Sequence, residues 1–457
     1  MTSDARTAHA AEGKAKRGTV PRRSHGEWSP QPDRSDPVEV ITSQNVDRLQ
    51  WLVPLRHWRM SLSPFAFYRG AAKLMAMDLA STPRTGITAQ ICGDAHLSNF
   101  GMYGSPERKL VFDLNDFDET LPGPWEWDVK RLAASFVIAA RHRGYFDVER
   151  HLAVEAATAY RTAVGSFAAM GYLDAWYSHL PVKSINKAFA LEKTKQEQKR
   201  SKKAVKKART KDSLHALGKL TEEVDGVYRI VAQPPLIVPF RDITHPGRRE
   251  EAQQMADDGF NGYIESLPDP MQVLLGRYTW VDGAIKVVGV GSVGTRSAIV
   301  LGQGRDAEDP LFLQIKEATP SVLEDHLAPS IYENHGQRVV EGQVLMQAAS
   351  DSFLGWTHSK INDTHYYVRQ LKDMKGSPDV ESATPKALGR FARLCGWTLA
   401  RAHARSGHAA ITAGYLGSST VFDEAIGDFA MAYADQNERD YTEFRLAIDE
   451  GRIPAHE

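Results

Sequence analysis

The chain has 457 residues, 42% hydrophobic and 25% charged, with a formal net charge of -1, so it can fill two or three domains' worth of core and offers no global charge for nucleic acid or an anionic membrane. Cys92 and Cys395 are too few for a disulfide framework or a cysteine zinc site and fit a reducing compartment. No apolar run approaches the roughly 18 residues of a membrane span and the N-terminus lacks the apolar core of a secretory signal, so a cytoplasmic protein is expected.

Residues 1–40 are polar, with basic clusters such as KAKR and PRRS, and predict a disordered basic lead-in. Residues 41–180 predict the first part of a helical domain. Apolar groups recur at helical spacing from Leu49 to Leu79, broken near Pro64. Ile87 to Ile91 and Lys109 to Leu114 read as short strands, with turn chemistry at Gly104, Ser105 and Pro106. Between the strands lies CGDAHLSNFG, residues 92–101, and after them Asp116 opens a D-F-D run. Val129, Leu132, Ala133, Phe136, Val137 and Ala140 then trace one face of an amphipathic helix, followed by a second helix over about 148–167.

Residues 181–275 predict a helical insertion with a lysine-rich arm from Lys193 to Lys211, a solvated helix or flexible segment. The arm contains no aromatic residue to stack on bases, which counts against nucleic acid as a partner. Residues 276–378 change character. IKVVGVGSVGTRSAIVLGQG and PLFLQIKEATP predict three strands joined by hairpins, RVVEGQVLMQAASD a helix and HYYVRQLKDMK a further strand. Residues 379–457 return to helices, one marked by Leu388, Phe391, Cys395 and Leu399, another by Phe422, Ile426, Phe429 and Tyr433.

Asp94 and Asn99 stand five residues apart, the spacing of Asp and Asn in a protein-kinase catalytic loop, and D-F-D is similar to the metal-binding D-F-G. No glycine-rich loop precedes them. Gly289, Gly291 and Gly294 spell G-x-G-x-x-G about two hundred residues later, and the β-branched run after them argues against a Rossmann helix. Lys316 follows in an apolar strand, where a charge is costly without a partner, and Glu341 on the next helix is the expected ion-pair partner ahead of Glu333. The order is that of a kinase rotated in sequence, which circular permutation permits because domain termini often lie close together.

CGDAHLSNFG with NDFDETLPGPWEWDVKRLA resembles the H-G-D-x-H-x-x-N and D-F-x motifs of aminoglycoside phosphotransferases and choline kinases. Most of residues 40–445, including SPFAFYRGAA and FAMAYADQNERDY, resembles a bacterial family of unknown function grouped with the protein-kinase-like superfamily. The resemblance implies an α+β, protein-kinase-like two-lobed fold, circularly permuted, with a small antiparallel-sheet lobe and a larger helical lobe. Two departures stand out. Cys92 replaces the usual histidine, and Asp116 follows Asn99 by more than the usual kinase spacing, with Asp113 as the competing metal ligand.

The implied activity is ATP-dependent transfer of the γ-phosphoryl group to a hydroxyl of a small molecule or protein, with ATP and Mg2+ as cofactors. Asp94 orients or deprotonates the acceptor hydroxyl, His96 supports the loop or carries a proton, and Asn99 and Asp116 hold magnesium. Lys316 and the backbone around Gly289, Gly291 and Gly294 contact the phosphates, and Glu341 positions Lys316. Asp128 braces the catalytic loop or caps its helix. Arg69 and Arg296 are open to a phosphate contact, but the simpler expectation is that of surface arginines without a specific task. The alternatives are a nucleotide-binding pseudokinase acting as a regulatory module, and nucleotidyl transfer on the same fold.

Overall fold

The computed structural model describes residues 3–185, 195–210, 213–243, 260–371, 374–377 and 379–457. The N-terminal segment is not the disordered lead-in that its composition suggests. Helix α1, Ser3–Ala15, packs on a late helix of the chain, and the basic residues after it have distant partners. Arg17 donates to the carbonyls of Gly414 and Tyr415, and Arg22 to that of Leu416, where a helix ends and its last carbonyls lack intrahelical donors. Arg34 sits between two buried carboxylates, 2.7 Å from both Asp78 and Asp440. Composition could not reveal these partners because they lie up to 398 positions away.

The break at Pro64 separates α2, Val53–Ser61, from α3, Pro64–Gly70. Ser63 caps α3 by accepting from the Ala66 N–H, and Pro64 fills a first-turn position where no donor is needed. Strand β1, Thr88–Ile91, leads into the CGDAHLSNFG loop. The hairpin of β2, Phe100–Gly104, and β3, Leu110–Leu114, follows, and β4, Leu121–Pro124, returns to pair with β1.

Helix α4, Trp125–His142, is the centre of the helical body, with every residue from Trp125 to Ala140 buried. Its Ala, Val, Ile and Phe content suits burial on all sides, while buried Asp128 and Arg131 require partners inside the protein. Around it pack the helices Glu149–Ala169, Pro385–Ser406 and Val421–Asp449. The first two approach so closely at Gly396 that a Cβ there would lie 2.2 Å from the Ala156 carbonyl oxygen.

The second layer is a six-stranded antiparallel sheet. Its strands run Gly355–Ser359, Thr364–Gln370, Pro310–Ala318, Ser297–Gln303, Thr279–Lys286 and Ile237–Pro239 from edge to edge. The edge strand Ile237–Pro239 comes from the segment expected to be an insertion, so the sheet recruits residues from before position 276. In register, Lys316 stands opposite Tyr367 on one side and Ser297 on the other. The helix His335–Met346 lies against both this sheet and the helical body.

The described part of the lysine-rich arm is the helix Lys195–Arg209, whose Ala208 is buried with Leu110 and Met374 while Lys202, Lys203, Lys206 and Lys207 stay exposed. Lys193 and Lys211 lie outside the described residues. Among the described residues no helix is long and apolar enough to cross a membrane.

Candidate active site

The loop after β1 is held by backbone bonds to a buried carboxylate. Asp128 accepts from the Cys92 and Gly93 N–H groups at 2.8 and 3.0 Å, and His403 Nε2 lies 3.2 Å away. Asp128 therefore braces the loop from the first turn of α4 and is not its N-cap, a position taken by Pro124. Gly93 has φ of +75°, and a Cβ there would lie 2.5 Å from the Glu119 carbonyl oxygen, so only glycine fits.

Within the loop the Asp94 carbonyl accepts from the His96 N–H and from Asn99 Nδ2, both at 2.8 Å. The latter bond fixes the Asn99 amide and leaves its Oδ1 for a ligand. Arg131 donates to Asp94 Oδ1 from Nε at 2.8 Å and from Nη2 at 2.6 Å, while stacking on Tyr68. Burial would raise the Asp94 pKa, but the Arg131 charge reverses that and holds it below the ordinary value. Burial pushes the His96 imidazole down to about 3, so it is neutral at pH 7, with Nε2 3.7 Å from Asp94.

The D-F-D run meets the sheet at Lys316. Lys316 Nζ lies 2.6 Å from Asp118 Oδ2 and 3.8 Å from Asp116 Oδ1, and the Tyr367 hydroxyl donates to Asp118 Oδ1 at 2.6 Å. Burial favours neutral Asp118, yet Lys316 outweighs it and holds its pKa below the usual carboxylate value. Asp116 moves up instead, from burial and the neighbouring Asp118 charge, and its buried Oδ1 accepts no hydrogen bond. That orphaned oxygen is what a cation would satisfy. Asp113, the competing ligand, is engaged elsewhere in a buried pair with Arg401.

Glu341 is not the partner of Lys316, which Asp118 already neutralises. The helix bearing Glu341 turns Arg338 inward instead, and that guanidinium donates to the carbonyls of Asp118, Thr120 and Thr319. Arg338 thus anchors the acidic run by its backbone while Lys316 holds it by a side chain.

The glycine motif forms the loop between the strands Thr279–Lys286 and Ser297–Gln303, with φ of +69° at Gly289 and +91° at Gly294. Gly289 and Gly291 line one cleft of about 120 Å³ together with Asp94, His96, Asn99 and Asp116. Gly294 does not line it; its carbonyl accepts from the Leu49 N–H at 2.7 Å. Two further bonds fasten the loop to the N-terminal helices, Arg59 to the Gly289 carbonyl at 2.7 Å and Arg48 to that of Val293 at 2.6 Å.

Asp118 and Arg131 also belong to this neighbourhood and were not anticipated. Alternation after Asp116 and the three-residue step from Asp128 to Arg131 on a helix were the available signals. Arg69, expected at the surface, lines the cleft with its Nε buried, and no local pattern marked it. Arg296 does not line the cleft itself but pairs at 3.0 Å with Glu317, which does. Among the described residues no three His, Cys, Asp or Glu side chains form a metal-binding cluster. Asn99 and Asp116 fit magnesium nonetheless, since that ion commonly takes one or two protein oxygens and completes its shell with water and phosphate.

The chain belongs to the family described as uncharacterized protein conserved in bacteria (DUF2252), whose sequence model matches residues 48–447. No curated protein and no solved structure matches it significantly.

Proposed function

We propose that the chain is an ATP-dependent phosphotransferase on a circularly permuted, protein-kinase-like fold, acting on a hydroxyl acceptor. The observation that carries this reading is the meeting of Lys316 with Asp116 and Asp118 beside the Asp94 loop, across 198 positions of sequence. Phosphoryl transfer asks mainly for positioning and charge neutralisation, and each group suits one such task. Asp94 receives the acceptor proton, Asn99 and Asp116 hold magnesium, and Lys316 and the backbone at Gly289 and Gly291 face the phosphates. Magnesium, when bound, neutralises charge on the transferred group.

The glycine loop is fastened beside this cleft by Arg48, Leu49 and Arg59, and on this reading it lifts from them as the nucleotide enters. Calorimetric titration with Mg·ADP tests the assignment: binding is expected in the wild type and in Glu341→Gln, and much weaker binding in Asp116→Asn. Absence of nucleotide binding in the folded wild type would overturn it.

A further inference from the structure

Three guanidinium groups, Arg48, Arg56 and Arg69, line the same cleft as the carboxylates. None of them forms an ion pair among the described residues. Arg56 is fully buried and donates only to neutral oxygens, those of Ile41, Gln44, Asn45 and Gly70, with its Nε left unpartnered. Arg48 donates only to the Gln44 and Val293 carbonyls. The Arg69 side chain makes no hydrogen bond among the described residues, and its Nε is buried.

Of the carboxylates lining the cleft, Asp94 Oδ1 accepts two bonds from Arg131, Asp118 is paired with Lys316, Glu317 with Arg296 and Glu119 accepts from the Val322 N–H, while Asp116 Oδ1 accepts no bond; none of them is within ion-pair distance of the three arginines among the described residues. Burial lowers the pKa of all three arginines, to about 10 for Arg48, which is the mark of cations held without enough negative charge. Cations desolvated in this way are expected to meet an anion supplied from outside. Arg69 shares the cleft with Asp94, the residue that meets the acceptor on the phosphotransferase reading.

We infer that Arg69, assisted by Arg48 and Arg56, binds an oxyanion on the acceptor, so that the acceptor is a hydroxyl compound carrying a phosphate or carboxylate. The oxyanion site stands on the geometry alone; its assignment to the acceptor rests on the phosphotransferase reading. In the transfer, the acceptor oxygen bonds to the γ-phosphorus as the bond to the β–γ bridging oxygen breaks. The hydroxyl proton passes to Asp94 and ADP leaves with the bond's electrons.

Inorganic phosphate, titrated with and without saturating Mg·ADP, tests the inference. Phosphate is expected to bind in the presence of Mg·ADP, about tenfold or more weakly in Arg69→Gln than in the wild type. Because Arg69 has no partner to lose, Arg69→Gln should leave the melting temperature unchanged or raised without phosphate. Phosphate that competes with Mg·ADP, or fails to bind while Mg·ADP binds, would overturn the acceptor site and leave the phosphotransferase reading standing. Phosphate bound through Arg69 in a protein that does not bind Mg·ADP would support the oxyanion site and overturn the assignment to an acceptor. A lower melting temperature with unchanged phosphate affinity would show Arg69 to be structural only.

Discussion

Lys316 Nζ lies 2.6 Å from Asp118 Oδ2, although one residue belongs to the sheet and the other to the run beside the catalytic-like loop. The lysine side chain is 3% exposed and that of Asp118 29%, so the cation is shielded from water while the carboxylate keeps partial access to it. Lys316→Met would leave Asp116 and Asp118 close together with no cation between them. It should cost about 2 kcal/mol of stability at neutral pH, measured by denaturant unfolding, as a charge-assisted hydrogen bond is lost. The folded pKa of Asp118 lies below its ordinary value of 3.8, so the pair's contribution is present above that pH and is lost as pH falls through the folded pKa. The difference between variant and wild type should therefore shrink below about pH 4.

Glu119 supplies a pH dependence of its own. Burial raises its carboxyl pKa from 4.5 to about 7, so the folded protein favours the neutral acid. A raised folded pKa means the unfolded chain loses this proton first. The contribution of Glu119 is therefore full below about pH 4.5 and is lost as pH rises towards 7. Glu119→Gln can still accept from the Val322 N–H, and unfolding measured from pH 5 to 7 should show a flatter decline than in the wild type.

Arg34 tests whether the N-terminal segment is part of the fold. It bridges Asp78 and Asp440, whose side chains are 5% and 4% exposed. Arg34→Ala should destabilise the protein by about 3–5 kcal/mol by leaving two buried carboxylates without a cation. A change below about 0.5 kcal/mol, the range of ordinary surface substitutions, would restore the picture of an inert lead-in.

Arg59 fastens the glycine loop through the Gly289 carbonyl, a bond that is lost if the loop lifts to admit nucleotide. Loss of one such bond should shift the loop towards its open form by about 1 kcal/mol. Arg59→Ala should then raise Mg·ADP affinity about fivefold, because less of the binding free energy is spent on opening. Unchanged or weaker binding in calorimetry would separate loop opening from nucleotide entry.

How much of this was legible in the sequence depends on the range of each interaction. The Asp94 to Asn99 spacing is local, and a lone lysine in an apolar strand signals that a partner exists. The identity of the partner is tertiary, so proximity along the chain suggested Glu341 while the fold supplied Asp118. The preference for Asp116 over Asp113 comes from its motif; the pairing of Asp113 with Arg401 is tertiary and has no local signal. The basic N-terminal clusters and Arg69 looked solvated because nothing local marks a cation that is to be buried. Their meaning comes from residues hundreds of positions away or from a ligand.

Transfer of the γ-phosphoryl group at the Asp94 loop is open to a single decisive experiment, incubation of the protein with magnesium and ATP labelled separately on the γ-phosphate and on the adenine. The γ label should move to water or to an acceptor, the adenine label should not transfer, and Asp94→Asn should lower turnover far more than it lowers nucleotide affinity. Transfer of the adenine label would show nucleotidyl chemistry instead, and a γ label that stays on ATP with every anionic hydroxyl acceptor tried would refute phosphoryl transfer at this loop.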